Sequence, residues 1–416
     1  MVARHIPRWR DFKQVLNPEP IIWDPVERRL GKSHTIEDLR RIAFRRTPRA
    51  IFHYVDRGSE YEVQLRKARA LFRAVEFEPS VLRDVAEVDV SREILGKRAE
   101  LPWVFSPTGV SRITQHEGEV AVARSAERFG IPYGLSNIST ASIEEVAAAA
   151  PNARKWFGFS VPRDREAAKR VLDRALNHGY EALSVALDTA TPGARLQDRY
   201  NGFTIPPKIA FKTFVDGALH PNWWFNFLTT EPISFPNVEI PPGGSVHQIS
   251  AAIGNSSQTI EGFEWLVNYW ANGPVIAKGV GTAQDARRVV DAGASAVVLS
   301  AHGGRQFDQA PLPLRRLPSV VAEVGHQAEV YIDGGILNGA DVLAAIALGA
   351  RGVFVGRAYL YGLMAGGARG VDRVNEILRE QMLRSLRYMG LTSLDQLTPA
   401  HVTLPEAQPP IGRSLA

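Results

Sequence analysis

The chain has 416 residues, 45% hydrophobic and 22% charged, an ordinary globular composition that excludes a disordered chain, a collagen and a coiled-coil rod. It contains no cysteine, which excludes disulfides, thiolate metal ligands and a cysteine nucleophile. Lys and Arg number 49 against 44 Asp and Glu, a formal net charge of +5. So weak a bias reads as a solvated surface; no aromatic-interleaved basic stripe or binding motif supports a nucleic-acid partner. No run approaches the roughly 18–20 apolar residues of a membrane span, and the basic stretch from Met1 to Trp9 lacks the apolar core of a secretion signal. The expected location is the cytoplasm. Arg40, Arg41, Arg45, Arg46 and Arg49 form either the wet face of a helix or a peripheral contact with an anionic membrane surface.

In chain order, Thr35-Ile-Glu-Asp-Leu opens a helix, a Thr cap followed by acids in the first turn. That helix runs to about Arg46. Pro48 starts another, through Tyr54 towards Gly58, and residues 61–73 carry helical periodicity with Leu65, Ala68, Leu71 and Phe72 on one side. Residues 1–100 are therefore expected to form an arm and a helical cap. From about residue 100, short apolar runs alternate with amphipathic helical runs. The expected strands are Trp103–Ser106, Pro132–Leu135, Lys155–Ser160, Ala182–Leu187, Val275–Lys278, Ala296–Ser300, Val330–Asp333 and Val353–Gly356. Helices are expected at Gly118–Phe129, Ile143–Ala150, Asp164–His178, Glu261–Trp270, Ala283–Ala292, Leu314–Val324, Gly339–Leu348 and about Val371–Met389. Alternation implies a parallel sheet, and eight βα units are the number that closes a TIM (β/α)8 barrel. The alternative is an open doubly wound sheet; against it, no glycine-rich dinucleotide fingerprint follows the first strand. The barrel is assigned to residues 101–395 and a C-terminal tail to 396–416.

One spacing is abnormal. About seventy residues, 189–258, separate strand four from the next helix, and they are rich in Pro, Gly, Asn and Trp: Pro206-Pro207, Pro221-Asn-Trp-Trp-Phe and Pro241-Pro-Gly-Gly. Loops of this length are binding loops or lids, or else inert or disordered insertions. Its place at the C-terminal face of the barrel favours an active-site cover.

Polar residues collect at the C-terminal strand ends, where barrel enzymes keep their chemistry. Strand five ends in Lys278-Gly, strand six in Ser300-Ala-His302-Gly-Gly-Arg305-Gln, strand seven in Asp333-Gly334-Gly335 and strand eight in Gly356-Arg357; strand four runs into Asp188, with Arg195 beyond. Glycine backbone at strands seven and eight, with Arg357, suits a phosphate-bearing cofactor. His302 is a candidate general base and Arg305 a candidate carboxylate clamp. Lys278 would be costly inside the barrel mouth without an anionic partner, so one is expected.

Taken together, these segments resemble the FMN-dependent α-hydroxy acid oxidoreductases, which include glycolate oxidase, lactate oxidase, flavin-linked L-lactate dehydrogenase and mandelate dehydrogenase. The resemblance runs from about Thr35 to Thr403 and includes Tyr54-x-x-x-Gly58, Ser106-Pro-Thr-Gly109, His116-Glu-Gly-Glu and Ser142-Ile-Glu-Glu-Val. Gly31, Arg46-Thr-Pro-Arg and Arg357-Ala-Tyr-Leu-Tyr-Gly-Leu-Met-Ala-Gly-Gly are similar to an actinobacterial lactate-dehydrogenase-like branch. The resemblance implies FMN as cofactor and oxidation of a 2-hydroxy acid to a 2-oxo acid. It implies that His302 accepts the substrate proton, and that Arg305 and Arg195 hold the carboxylate with Tyr54. Lys278 would lie by the flavin N1–C2 edge, and Gly335, Gly356 and Arg357 would take the phosphate. Pro107, Thr108, Gly109, Ser136, Ser300, Asp333 and Gly334 complete the expected cofactor contacts, with no metal. It implies a homo-oligomer, a tetramer, acting on a small carboxylic acid; oxygen, quinone and a carrier protein all remain as electron acceptors.

Five residues depart from the family pattern. Gly158 and Ser160 stand where a Gln and a Tyr are usual on strand three, Ala186 where a Thr is usual on strand four, Ala301 where Asn precedes the His, and Leu337 where an Arg follows Asp-Gly-Gly. Losing two or three hydrogen bonds at about 1 kcal/mol each would weaken flavin binding without abolishing it. Gly158 and Ser160 are expected to open the pocket to a bulkier substrate. The alternatives are a non-standard flavoenzyme reaction, oxidative decarboxylation among them, and a non-catalytic barrel that binds a phosphorylated ligand.

Overall fold

The computed structural model of the chain describes residues 6, 8–13, 22–203, 216–238, 256–271 and 273–405. Eight parallel strands close on themselves: β1 (Trp103–Thr108), β2 (Tyr133–Ser136), β3 (Lys155–Ser160), β4 (Tyr180–Ala186), β5 (Val275–Val280), β6 (Ala296–Leu299), β7 (Glu329–Asp333) and β8 (Gly352–Val355). β1 pairs in parallel with β2 on one side and with β8 on the other, so no edge is left and the open-sheet alternative is excluded. All eight expected strands form, within two residues of the expected ends.

Strand parity explains the layers. Successive side chains on a strand point to opposite faces. Phe105, Phe157, Leu183, Ala277, Val297, Ile332 and Val353 therefore face the helices and join the main core. Their neighbours Val104, Trp156, Ala182, Ile276, Ala296, Val298, Tyr331 and Phe354 form a separate cluster inside the barrel. A hairpin of Arg92–Ile94 and Lys97–Ala99, whose Ile94 and Ala99 join this inner cluster, plugs the N-terminal end. The same parity continued two positions upward brings Ser106, Ser184, Lys278, Ser300, Asp333 and Gly356 inward at the C-terminal end. Apolar filling gives way to polar groups within a few ångströms along each strand.

Before the barrel come α1 (Ile36–Arg46), α2 (Arg49–Asp56) and α3 (Val63–Arg73). Thr35 caps α1, its side chain accepting from the Asp38 amide while Asp38 returns the bond. Asp56, at the end of α2 and 5% exposed, ties three elements together. It accepts from Arg40 Nε at 2.6 Å and Nη2 at 2.9 Å, and from Tyr361 Oη at 2.7 Å. Arg40 is thus a structural partner, as is Arg46, which donates to Asn222; Arg41, Arg45 and Arg49 are exposed.

The structure adds elements absent from the sequence expectation. One helix was expected after β8; there are two, Arg357–Gly366 and Ala368–Tyr388, broken at Gly367 with φ +63°. The first is buried from Ala358 to Ala365, so it shows no polar face for periodicity to reveal. The long fourth loop carries helices at Leu196–Tyr200 and Pro221–Thr229. Pro206-Pro207 and Pro241-Pro-Gly-Gly lie outside the described residues. Val402–Thr403 returns to pair with Glu76–Phe77. No helix among the described residues is long and apolar enough to cross a membrane.

Candidate active site

A cavity opens at the C-terminal end of the barrel, between the strand ends, α3 and the start of the fourth loop. Of the expected residues, Tyr54, Pro107, Thr108, Gly109, Ser136, Arg195, Lys278, His302, Arg305, Asp333, Gly334, Gly335, Gly356 and Arg357 all line it. Ser300 does not; its hydroxyl lies behind the wall, accepting from the His302 amide at 2.9 Å and donating to Asp333 Oδ2 at 3.2 Å. It orders the groups that face the cavity.

His302 projects from the turn after β6 with φ +52°, a left-handed conformation uncommon for residues other than glycine. Its Nδ1 lies 3.0 Å from Asp188 Oδ1. Burial works against the charge of Asp188, but His302 and Lys278 outweigh it and hold its pKa below the ordinary carboxylate value. An ionised Asp188 accepts from Nδ1–H, which leaves the Nε2 lone pair free for a proton. The glycine of Lys278-Gly explains how Asp188 gets so close. Gly279 has φ +103°, and a Cβ there would sit 2.6 Å from the Asp188 carboxyl carbon.

The anionic partner expected for Lys278 is Asp333, with Nζ 2.6 Å from Oδ2 and side-chain exposures of 5% and 11%. Burial opposes the ammonium charge, yet Asp333 and Asp188 raise its pKa above the usual lysine value. Lys278 is therefore a fixed cation in the cavity floor.

On the loop side, the guanidinium groups of Arg195 and Arg305 each lie over the Tyr54 ring, 5.0 Å from its centroid. Arg305 donates to the carbonyl of Tyr54 at 2.6 Å, and Arg195 lies 3.3 Å from Asp198. Burial, then the neighbouring Arg195, presses the Arg305 pKa down to about 10. Among the described residues lining the cavity, Arg69, Arg195, Lys278, Arg305 and Arg357 face a single carboxylate, Asp333. Such an excess of cations selects an anionic ligand.

One expectation needs correction. Gly158 was expected to open space, but the Pro107 ring fills it: a Cβ on Gly158 would lie 2.6 Å from Pro107 Cβ. The short side chains of Ser160 and Ala186, which also line the cavity, are where room remains. Arg357, expected at the phosphate, has structural partners as well. It fastens α2 and the β6 turn, donating to Val55 O at 2.9 Å, Gly303 O at 2.7 Å and Arg57 O at 3.2 Å. Leu337 lines the cavity near it, and Ala301 is buried beside the His302 turn. Arg69 is a cavity residue that sequence reasoning missed, because it lies on α3 and in no strand-end motif; Gln306, which closes the strand-six motif, also lines the cavity but was given no role.

The cavity fits FMN by its own chemistry. One end offers Gly334, Gly335 and the start of the helix Arg357–Gly366, a natural phosphate site. The deep end offers Lys278 and the hydroxyl of Ser184, a buried group with no hydrogen-bond partner among the described residues and so ready for a polar ring edge.

Comparison with known proteins agrees. Residues 43–404 match the family model described as FMN-dependent dehydrogenase. A Mycobacterium tuberculosis protein named "Putative L-lactate dehydrogenase" is 45% identical over 99% of both chains. The (S)-mandelate dehydrogenase of Pseudomonas putida is 35% identical over 88% of this chain and 93% of its own. A crystal structure of the monotopic membrane protein (S)-mandelate dehydrogenase covers 90% of this chain and 100% of its own, with TM-score 0.85 and 34% identity. The chain belongs to the FMN-dependent dehydrogenase family, the FMN-dependent dehydrogenases and oxidases of 2-hydroxy acids.

Proposed function

We propose that this chain oxidises a 2-hydroxy carboxylate bulkier than lactate, with His302 as the proton acceptor. The observation that carries this is the His302–Asp188 pair, 3.0 Å apart, facing a cavity that also holds Tyr54, Arg195 and Arg305. Arg195 and Arg305 bind and orient the carboxylate through forked donors, and Tyr54 adds its hydroxyl. His302 Nε2 takes the substrate proton, and Asp188 stabilises the imidazolium that results. Lys278 holds positive charge against the cavity floor. Gly334, Gly335, Gly356 and Arg357 hold the phosphate of FMN, which when bound supplies the acceptor for the electron pair.

The bulkier substrate is supported by Ser160 and Ala186, short side chains on the cavity wall. The test is flavin reduction by lactate, mandelate and larger 2-hydroxy acids in the wild type and Ser160→Tyr. Ser160→Tyr is expected to shift preference towards small acids, since misplacement by about 1 Å costs about 10²-fold in rate. A wild type that prefers lactate, with no gain in Ser160→Tyr, removes the reading.

A peripheral membrane association accompanies this proposal. In the fourth loop Leu219, Phe225 and Leu228 are each about 70% exposed, next to Arg46, which bonds Asn222 on the same helix. An apolar surface beside arginines suits anionic lipid. Sedimentation with anionic vesicles is expected to carry the protein down, and Phe225→Ser with Leu228→Ser to leave it in solution. The proposed assembly is a homotetramer, to be read from its mass in solution.

A further inference from the structure

The phosphate end of the cavity has a second arginine that does not come from the barrel. We propose that Arg69 of α3 binds the phosphate of FMN directly, opposite Arg357, so that the cofactor fastens the N-terminal helices onto the barrel. This rests on the FMN reading above and adds a residue to it.

The placement is set by packing. Gly335 has φ +90°, and a Cβ there would lie 2.9 Å from the Phe72 ring and 3.7 Å from Ala68 Cβ. The bare backbone of the β7 turn therefore admits α3 at van der Waals contact, and Arg69, next to Ala68, lines the cavity with Gly334, Gly335, Leu337 and Arg357. Its guanidinium makes one hydrogen bond among the described residues, Nη2 to Tyr361 Oη at 3.4 Å, and no ion pair. Arg357 is the other cation there, and three of its donors are already committed to backbone carbonyls. It too has no carboxylate partner within ion-pair distance among the described residues; the nearby Asp56 is held by Arg40. The two guanidinium groups are close enough to repel: after burial and the opposing pull of Tyr361, Arg69 contributes to lowering the Arg357 pKa.

Two arginines converging on one cavity end, neither with a carboxylate within ion-pair distance among the described residues, are costly unless an anion bridges them. A phosphate monoester carries a charge of about −1.5 to −2 near pH 7, more than a single guanidinium neutralises. On the β7 turn the nearby side chain is Leu337, which offers no donor, so the second charge must come from α3. Forked N–H donors suit phosphate oxygens.

The experiment separates a phosphate contact from a merely structural one. Apoprotein is titrated with FMN and with riboflavin, which lacks the phosphate, following quenching of flavin fluorescence. Arg69→Ala is expected to raise the FMN Kd by tenfold or more and the riboflavin Kd by less than about threefold, with Arg69→Lys between wild type and Ala for FMN. The dependence of FMN affinity on ionic strength should also become shallower in Arg69→Ala. Equal losses for FMN and riboflavin would assign Arg69 to packing and overturn the proposal, as would an unchanged FMN Kd. Should Arg69→Ala fail to fold, Arg69→Gln, which keeps the stem, takes its place under the same criteria. A wild type that takes up neither flavin would remove the cofactor reading itself, and this proposal with it.

Discussion

Replacing Lys278 with Met tests whether the floor of the cavity is held by charge. Lys278 Nζ and Asp333 Oδ2 are 2.6 Å apart, with little solvent access to either. At an effective dielectric constant of about 20, that separation corresponds to a gross attraction of about 6 kcal/mol. Desolvation of both groups cancels most of it, so the pair adds little net stability. Removing one partner is another matter. Among the described residues, the Asp333 side chain would keep one hydrogen bond, from the Ser300 hydroxyl at 3.2 Å, and an uncompensated buried charge costs about 3–5 kcal/mol. The raised Lys278 pKa means that its contribution is complete below the unfolded lysine value of about 10.4 and is lost only as pH rises through the higher folded value. Neutral pH therefore reads the whole effect. Urea unfolding of the apoprotein, followed by tryptophan fluorescence, should show Lys278→Met destabilised by that amount. The double variant Lys278→Met with Asp333→Asn should recover at least half of it, because the stranded charge is gone. A loss under about 1 kcal/mol in Lys278→Met, or single effects that add to within about 0.5 kcal/mol in the double, would refute the reasoning.

Three other perturbations follow from named contacts. Asp188→Asn removes the carboxylate from His302 Nδ1 and should slow substrate-driven flavin reduction about 10²-fold or more while FMN still binds, measured by stopped-flow absorbance; an unchanged rate would take Asp188 out of the proton step. Asp56 has its pKa lowered to about 2, burial notwithstanding, by Arg40 and Tyr361. Its contribution of about 2–3 kcal/mol is complete above the unfolded pKa of about 3.9 and fades as pH falls through 2; Asp56→Asn should lower stability at pH 7 and flatten the acid limb below pH 4 in denaturation curves. Gly335→Ala should cost about 2 kcal/mol or more, from a strained φ of +90° and the contact with Phe72, and weaken FMN uptake as well; a melting temperature equal to wild type would contradict the packing of α3 against the β7 turn.

Periodicity and parity are local properties, which is why so much of the barrel was legible before any coordinates. Eight apolar runs separated by amphipathic ones dictate eight parallel strands. Period-two alternation then dictates that Lys278, Asp333 and Gly356 face inward where the apolar filling ends. Motif residues at strand ends were legible for the same reason: they are read along one strand. The helix Arg357–Gly366 was not, because a segment buried on all sides has no polar stripe to give its period away. Partnership is a different kind of fact. His302 meets Asp188 across 114 residues of chain, and Lys278 meets Asp333, only because closing the barrel brings those strand ends within hydrogen-bond reach. That Pro107 fills the space beside Gly158, that Ser300 stands behind the wall, and that Arg69 reaches the cavity from α3 all depend on distances between elements remote in sequence. The sequence by itself determined which groups gather at the strand ends and which way each strand presents them; tertiary packing alone decided which of them line the cavity, which charges pair, which space is filled and which arginines are left without a carboxylate in ion-pair contact, because those outcomes are set by close contacts among elements that no local pattern relates.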